Sequence, residues 1–167
     1  MKFEVLDKNK HDRKNFDCGV EALNNYLLQY AGQDQKRSLS RVYVLVTTDN
    51  RIVGYYSICA HSVLRDNLPQ ELKIGGYDDI PFLLLGRLAV DTEYQGKGYG
   101  DTLIFDALNK TAEYAGHIGI FGMIVDAKNS KASSFYEGFG FKKLLTNPKK
   151  LVLPMPTIVK LLRELQP

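Results

Sequence analysis

The sequence predicts a mixed α/β fold: one central mixed β-sheet flanked by helices. Three observations predict it. Short runs rich in Val, Ile, Leu and Tyr recur at strand length, over 41–47, 52–60, 82–90 and 120–125. Stretches of helical periodicity alternate with them, over 20–31, 101–116 and 129–137. A strand, a Gly-rich turn and a helix follow one another over 82–116 and lead back to a strand at 120, the order of a βαβ unit with a right-handed crossover.

Each element has its own signal. Residues 2–6 alternate and predict a short strand. Phe16, Asp17, Cys18 and Gly19 read as a helix entry, followed by Val20, Leu23, Leu27, Tyr30 and Ala31 at helical spacing, with Gly32 as the expected stop. Asp49-Asn50 marks the turn between strands 41–47 and 52–60. Residues 61–79 contain Pro69, Gly75 and Gly76 and predict a loop with short ordered pieces. Gly86 within strand 82–90 is expected to mark a bulge. Helix 101–116 is expected to bury Leu103, Ile104, Ala107, Leu108 and Ala112. Helix 129–137 should turn Ala132, Phe135 and Tyr136 inward. A strand opening at Phe141, another at 151–153 and a terminal helix at 157–165 complete the chain, expected to be one domain over 1–167.

Composition excludes several classes. Of 167 residues, 44% are hydrophobic and 25% charged, which places the chain outside disordered and membrane proteins. The N-terminus is charged from the start and has no signal-peptide core, so a cytoplasmic setting is expected. Cys18 and Cys59 are too few for a disulfide framework or a zinc site and read as small core residues; no metal is expected. His11, His61 and His117 are scattered and read as surface or packing residues. A net charge of +3 permits a polyanionic partner without requiring one.

The segment Gln95-Gly96-Lys97-Gly98-Tyr99-Gly100 carries the chemistry. Its three glycines let backbone approach a ligand closely. It lies directly before a helix, where free N–H groups and the helix dipole make an anion site, and Lys97 adds a positive charge. The predicted ligand is a diphosphate. A Walker A loop would need Ser or Thr after the lysine, where Gly98 stands. A dinucleotide fingerprint would need G-x-G-x-x-G and a later acidic residue, and the spacing here is G-x-G-x-G. Taken alone, the segment also reads as a plain Gly-rich turn.

The surrounding residues extend the pattern. Leu85-Gly86-Arg87-Leu88-Ala89-Val90-Asp91, then Gln95, Gly98 and Gly100, resembles the central motif of the GNAT acetyltransferase superfamily. Ala132 to Phe141, with Phe135-Tyr136-Glu137-Gly138-Phe139-Gly140, resembles that family's second signature. The resemblance implies a GNAT fold and acetyl-coenzyme A as the acetyl donor. It implies that the backbone of Leu88, Ala89 and Val90 flanks the acetyl-pantetheine arm. The N–H groups of Gln95, Gly96, Lys97, Gly98, Tyr99 and Gly100 would hold the diphosphate, and Asn129 and Ser133 would contact the cofactor. Tyr136 would lie near the thioester sulfur. A phenol with a pKa of ~10 suits a general acid for the departing thiolate; the alternative is an aromatic that only packs beside Phe135 and Phe139.

Phe16 to Leu27, Ala31 to Asp34 and Gly54-Tyr55-Tyr56-Ser57 are similar to the GNAT toxins of type II toxin–antitoxin modules, the TacT/AtaT-like group. That resemblance implies acetylation of the α-amine of aminoacyl-tRNA, a block of translation, a ribbon-helix-helix antitoxin that binds DNA in complex with the toxin, and a homodimer. A free α-amine has a pKa of ~8 and an ester neighbour should lower it further, so much of it is neutral at pH 7 without a strong base; Asp91 and Glu93 are the obvious local carboxylates. Phosphate contacts would come from Lys36, Arg37 and Arg41, from Lys142, Lys143, Lys149 and Lys150, and from Arg87, inside the apparent core strand. Any of these lysines also reads as a solvated surface charge. The alternatives are a GNAT enzyme for small amines or protein and peptide amines, and a non-catalytic module that binds coenzyme A or an antitoxin.

Overall fold

The computed structural model describes residues 1–165; the last two positions of the expected 1–167 domain lie outside the described residues. Seven strands form one mixed sheet in the order β1-β2-β3-β4-β5-β7-β6. The chain divides into two compact units, 1–59 with 86–107, and 60–85 with the residues from 108 onward.

In the first unit, β1 (Lys2–Val5) pairs antiparallel with β2 (Arg41–Val46), and β2 with the first part of β3 (Ile52–Leu64). The β2–β3 turn closes through the Thr47 N–H, which donates to the Arg51 carbonyl at 3.0 Å, with Asn50 at φ +65°. Between β1 and β2 lie α1 (Glu21–Asn25), a π-turn (Tyr26–Tyr30) and α2 (Ala31–Lys36).

The sequence places the start of this region within one residue and misplaces its end. Residues 16–20 are not helical, and Val20, in extended backbone, caps the helix start. Gly32 does not stop the helix; Ser38 does, at φ +59°, with the Leu39 N–H donating to Asp34 O and the Ser38 N–H to Gln35 O. That pattern is a Schellman closure with serine at the left-handed position. The extra residue of the π-turn also rotates the apolar stripe. Tyr26, Leu27 and Ala31 are buried, and Val20 and Tyr30 are exposed.

The first unit's core gathers Leu6, Phe16, Leu27, Val42, Val44, Ile52, Tyr55 and Ala89. Gly54 is required there: a Cβ would come within 2.8 Å of the Ala89 carbonyl oxygen and of Leu103 Cδ1. Cys18 is buried and Cys59 half-buried, and burial pushes both thiols up. His11 is also buried: its Nδ1 accepts from the Asp7 N–H at 3.0 Å and its Nε2 lies 2.8 Å from Glu4 Oε2.

In the second unit, β4 (Asp79–Val90) pairs parallel with β5 (Gly122–Asp126) over Phe82–Leu85, the middle of β4. β5 pairs antiparallel with β7 (Lys150–Pro154), and β7 with the two-residue β6 (Lys142–Lys143). Val63, Leu68, Ile80, Phe82, Ile124, Leu144 and Val152 form its core. Residues 61–79 are less loop than expected, since β3 extends to Leu64 and two short 3₁₀ turns follow. The remaining helices are α3 (Tyr99–Ala115), α4 (Ser130–Glu137) and α5 (Met155–Glu164). In α3, Leu103, Ile104, Ala107 and Leu108 are buried as expected, but Thr111 takes the next inward position and Ala112 is only half-buried. Among the described residues, no helix is long and apolar enough to cross a membrane.

Candidate active site

The Gly-rich loop is built from the end of β4. The Asp91 side chain caps the 3₁₀ turn Thr92–Tyr94, accepting from the Glu93 N–H at 3.0 Å and the Asp17 N–H at 3.1 Å. Arg51 Nη2 lies 2.6 Å from Glu93 and 3.9 Å from Asp91. Both candidate carboxylates, Asp91 and Glu93, are therefore engaged in holding the loop. Gln95 adds a second brace. Its Nε2 donates to the Val90 carbonyl at 2.8 Å and to the Cys18 carbonyl at 3.0 Å. Its side chain shapes the loop from beneath.

Beyond Gln95 the backbone turns through Gly96 at φ +74° and Gly98 at φ +86°. A Cβ at either position would meet nothing within 4 Å. The glycines are needed for their left-handed backbone, and the space beside them is left open to a ligand. The Gly98 carbonyl accepts from the Thr102 N–H at 3.2 Å, so α3 starts here, and the N–H groups of its first turn have no acceptor one turn back. Lys97 Nζ lies 5.7 Å from the centre of the Tyr94 ring, and Arg51 Cζ 5.4 Å from it. Unengaged amides, a helix start and a lysine on an exposed loop fit a diphosphate.

Arg87 is half-buried in β4, directly before Leu88, Ala89 and Val90. Its Cζ lies 3.5 Å from the centre of the Tyr26 ring, whose hydroxyl donates to Asp34 Oδ2 at 2.9 Å. Lys36, Arg37 and Arg41 are exposed between the end of α2 and the start of β2, and among the described residues no carboxylate pairs with them.

In the second unit, Tyr136 is buried between Phe135 and Phe141, each ring meeting it edge-on, at 5.2 and 5.6 Å. Burial, with the Asp126 charge adding to it, pushes its phenol up to about 12. Among the described residues nothing hydrogen-bonds its hydroxyl, and no sealed side-chain oxygen lacks a partner, so that oxygen reaches solvent. The ring is packed while the hydroxyl oxygen is not sealed.

Asn129 and Ser133 share a cleft of about 240 Å³ with Lys128, Lys143 and Lys149. The Asn129 side-chain oxygen caps α4, accepting from the Ala132 N–H at 2.8 Å, and the Ser133 hydroxyl donates to Glu137 at 3.1 Å. The basic group expected here is thinned by pairing: Lys142 Nζ lies 2.6 Å from Glu71, and Lys143 Nζ 3.7 Å from Glu137. Lys150 lies in β7.

Sequence reasoning missed Tyr26, Asp34 and Lys128. Tyr26 carried a readable signal, since it stands three residues after Leu23 and four before Tyr30 on the helical pattern. Asp34 lies in the segment that carries the toxin resemblance, with no role marked, and Lys128 carried no signal.

The geometry has counterparts among known proteins. A family model described as an acetyltransferase (GNAT) domain matches residues 38–143. The chain belongs to the GNAT acetyltransferase family. It is 32% identical over 169 residues to a probable toxin TacT of Sinorhizobium fredii (strain NBRC 101917 / NGR234), covering 95% of this chain and 93% of that protein. It is 34% identical over 144 residues to a tRNA-acetylating toxin of Mycobacterium tuberculosis (strain ATCC 25618 / H37Rv), covering 86% of each. The solved structure of AtaT complexed with acetyl-methionyl-tRNAfMet superposes with a TM-score of 0.89 at 35% identity, over 96% of this chain and 98% of that one. Other similar structures hold an AtaT variant with the antitoxin AtaR and acetyl-CoA, and the AtaT–AtaR complex with DNA.

Proposed function

We propose that this chain is the toxin of a type II toxin–antitoxin pair, and that it transfers the acetyl group of acetyl-coenzyme A to the α-amine of aminoacyl-tRNA, halting translation. The observation that carries the reading is the loop at 95–100, with two left-handed glycines opening onto free space at a helix start. The tRNA-acetylating relatives supply the acceptor class.

When bound, acetyl-coenzyme A supplies an acetyl group activated as a thioester. The backbone N–H groups of 95–100 hold the diphosphate, and Lys97 adds charge. The ladder from β4 to β5 covers only Phe82–Leu85, which supports the backbone of Leu88, Ala89 and Val90 as the edge along which the pantetheine arm runs. Asn129 and Ser133 contact the cofactor. Tyr136, protonated throughout the neutral range, donates its hydroxyl proton to the released sulfur. No side-chain base is needed for the attack, because an α-amine of pKa ~8, lowered further by its ester, is partly neutral already; the proton its nitrogen gives up on becoming an amide passes through solvent and restores the Tyr136 phenol.

Lys36, Arg37, Arg41, Lys143 and Arg87 meet the RNA phosphates, with Lys142 held back by Glu71. A ribbon-helix-helix antitoxin restrains the enzyme and carries it to DNA, and the toxin works as a homodimer in the cytoplasm.

Labelled acetyl-coenzyme A offered in parallel with charged tRNA, polyamines and peptides tests the reading. Label is expected in the tRNA fraction. Label confined to polyamines or peptides would move the chain to the small-amine or peptide branch of the family. No transfer to any acceptor, with coenzyme A still bound, would leave a binding module.

A further inference from the structure

Four arginines among the described residues are half-buried: Arg13, Arg51, Arg65 and Arg87. Three of them have oxygen partners. Arg13 donates to the Leu28 carbonyl at 2.8 Å. Arg51 pairs with Glu93 at 2.6 Å. Arg65 lies 3.6 Å from both Asp66 and Asp78. Arg87 has none among the described residues; its guanidinium instead lies on the Tyr26 ring, 3.5 Å from the ring centre.

A cation drawn half out of water without a counter-charge is unfavourable, and an aromatic face offsets only part of that. The ring occupies one face of the guanidinium, while its five N–H donors point outward in its plane. That donor edge is unengaged and held in place. Tyr26 is fixed from two sides, by its hydroxyl bond to Asp34 and by near-parallel stacking on Tyr55 at 6.4 Å. Tyr55 is anchored in turn through its hydroxyl, which donates to the Leu23 carbonyl at 2.7 Å. The device stands in β4 one residue before Leu88.

We infer that the in-plane edge of Arg87 is a binding site for a phosphodiester of the acceptor, and that Tyr26 and Asp34 are positioning residues that aim it. The inference rests on the acceptor being an aminoacyl RNA. A planar donor fork matches a phosphate oxygen pair, and a phosphodiester next to the aminoacylated nucleotide is the anion such an acceptor brings closest to its amine.

Two minimal acceptors isolate this contact: an aminoacyl-adenosine, which has no phosphate, and the same aminoacyl ester on a cytidylyl-adenosine dinucleotide, which has one phosphodiester. Wild type is expected to show the lower KM for the dinucleotide. Arg87→Gln should raise that KM about tenfold or more, the loss of a charge-assisted pair, and leave the KM for aminoacyl-adenosine and the kcat for both unchanged. Arg87→Lys, which keeps the charge and loses the fork, should show the same split at smaller size. Tyr26→Phe, which keeps the ring and releases Asp34, should shift only the dinucleotide KM.

Equal changes with both acceptors, or no change with either, would make Arg87 structural and overturn the inference. Calorimetry with acetyl-coenzyme A should give the same affinity for wild type and Arg87→Gln. A fall there would assign the guanidinium to a cofactor phosphate and overturn the inference as well. A wild type that acetylates neither ester would overturn the acceptor assignment, and this inference with it.

Discussion

Gln95 reaches back to Cys18: its Nε2 donates to the Cys18 carbonyl at 3.0 Å and so ties the Gly-rich loop to the segment before the first helix. The second hydrogen of the same amide goes to the Val90 carbonyl at 2.8 Å. One side chain thus fixes the start of the loop against the end of a core strand and against the N-terminal region. The loop's amides can converge on an anion because their position is set before any ligand arrives.

The first prediction follows from that brace. Gln95→Glu replaces two donors with a carboxylate facing two carbonyl oxygens. It should lower stability by about 1–2 kcal/mol, two lost hydrogen bonds at a partly exposed site, and lower the melting temperature by several degrees. The affinity for acetyl-coenzyme A should fall too, since the loop loses its anchor and gains a negative charge. A thermal scan and a calorimetric titration read both effects. An unchanged melting temperature would mean that the two bonds contribute nothing in solution.

The loop glycines separate strain from occlusion. At Gly98, φ is +86° and a Cβ would meet no protein atom within 4 Å. Gly98→Ala should therefore cost about 1 kcal/mol of folding stability through backbone conformation alone, while weakening acetyl-coenzyme A clearly more, because the methyl group enters the ligand's space. Gly98→Asp adds a like charge and should abolish binding. Retained affinity in the aspartate variant would refute the diphosphate assignment.

Asp91 offers a test of what it is not. It is buried and accepts from the N–H groups of Asp17 and Glu93. In Asp91→Asn only one of the two acceptors survives, and the amide NH₂ faces a backbone N–H. The loss should be about 2 kcal/mol, seen as an earlier thermal transition. The pH profile of kcat/KM should keep its wild-type shape. Disappearance of an ionisation from that profile would instead make Asp91 a general base.

Much of this was legible in the residues, and the parts that were not share a cause. The order of elements follows from period alone, and the Gly-rich loop from its glycines before a helical run. What escaped depends on geometry set by distant neighbours. The π-turn at Tyr26–Tyr30 shifts the helical phase, which turns Tyr30 out, and nothing in the local pattern marks the turn. Ser38 closes α2 in a left-handed conformation where glycine is the usual signal. Thr111 is buried where Ala112 was the apolar choice, because composition does not reveal which of two neighbours faces the core. Gln95 enters the sequence reading through its backbone N–H, and the brace made by its side chain depends on two carbonyl partners, one in a distant segment. Lys142 reads as free charge until Glu71 is found 2.6 Å away.

Tyr136 supports the last prediction, on two axes. Its hydroxyl has no hydrogen-bond partner among the described residues, so Tyr136→Phe should leave folding and acetyl-coenzyme A affinity at wild-type values. Its kcat should fall about a hundredfold to ten-thousandfold, the range for removing a positioned general acid. The variant with an intact melting temperature and unchanged turnover would remove Tyr136 from the chemistry. The second axis is pH. The phenol titrates near 10 unfolded and is pushed up to about 12 in the folded chain, chiefly by burial. Between those values the folded chain holds a proton that the unfolded chain has released. The stabilisation is therefore complete below pH 10 and is lost as pH rises toward 12, whereas Tyr136→Phe has no such phenol to titrate. Chemical denaturation of both proteins at pH 8, 10 and 11.5 should show wild type losing more stability than the variant across the upper interval. Parallel losses would place the hydroxyl in an environment no different from water.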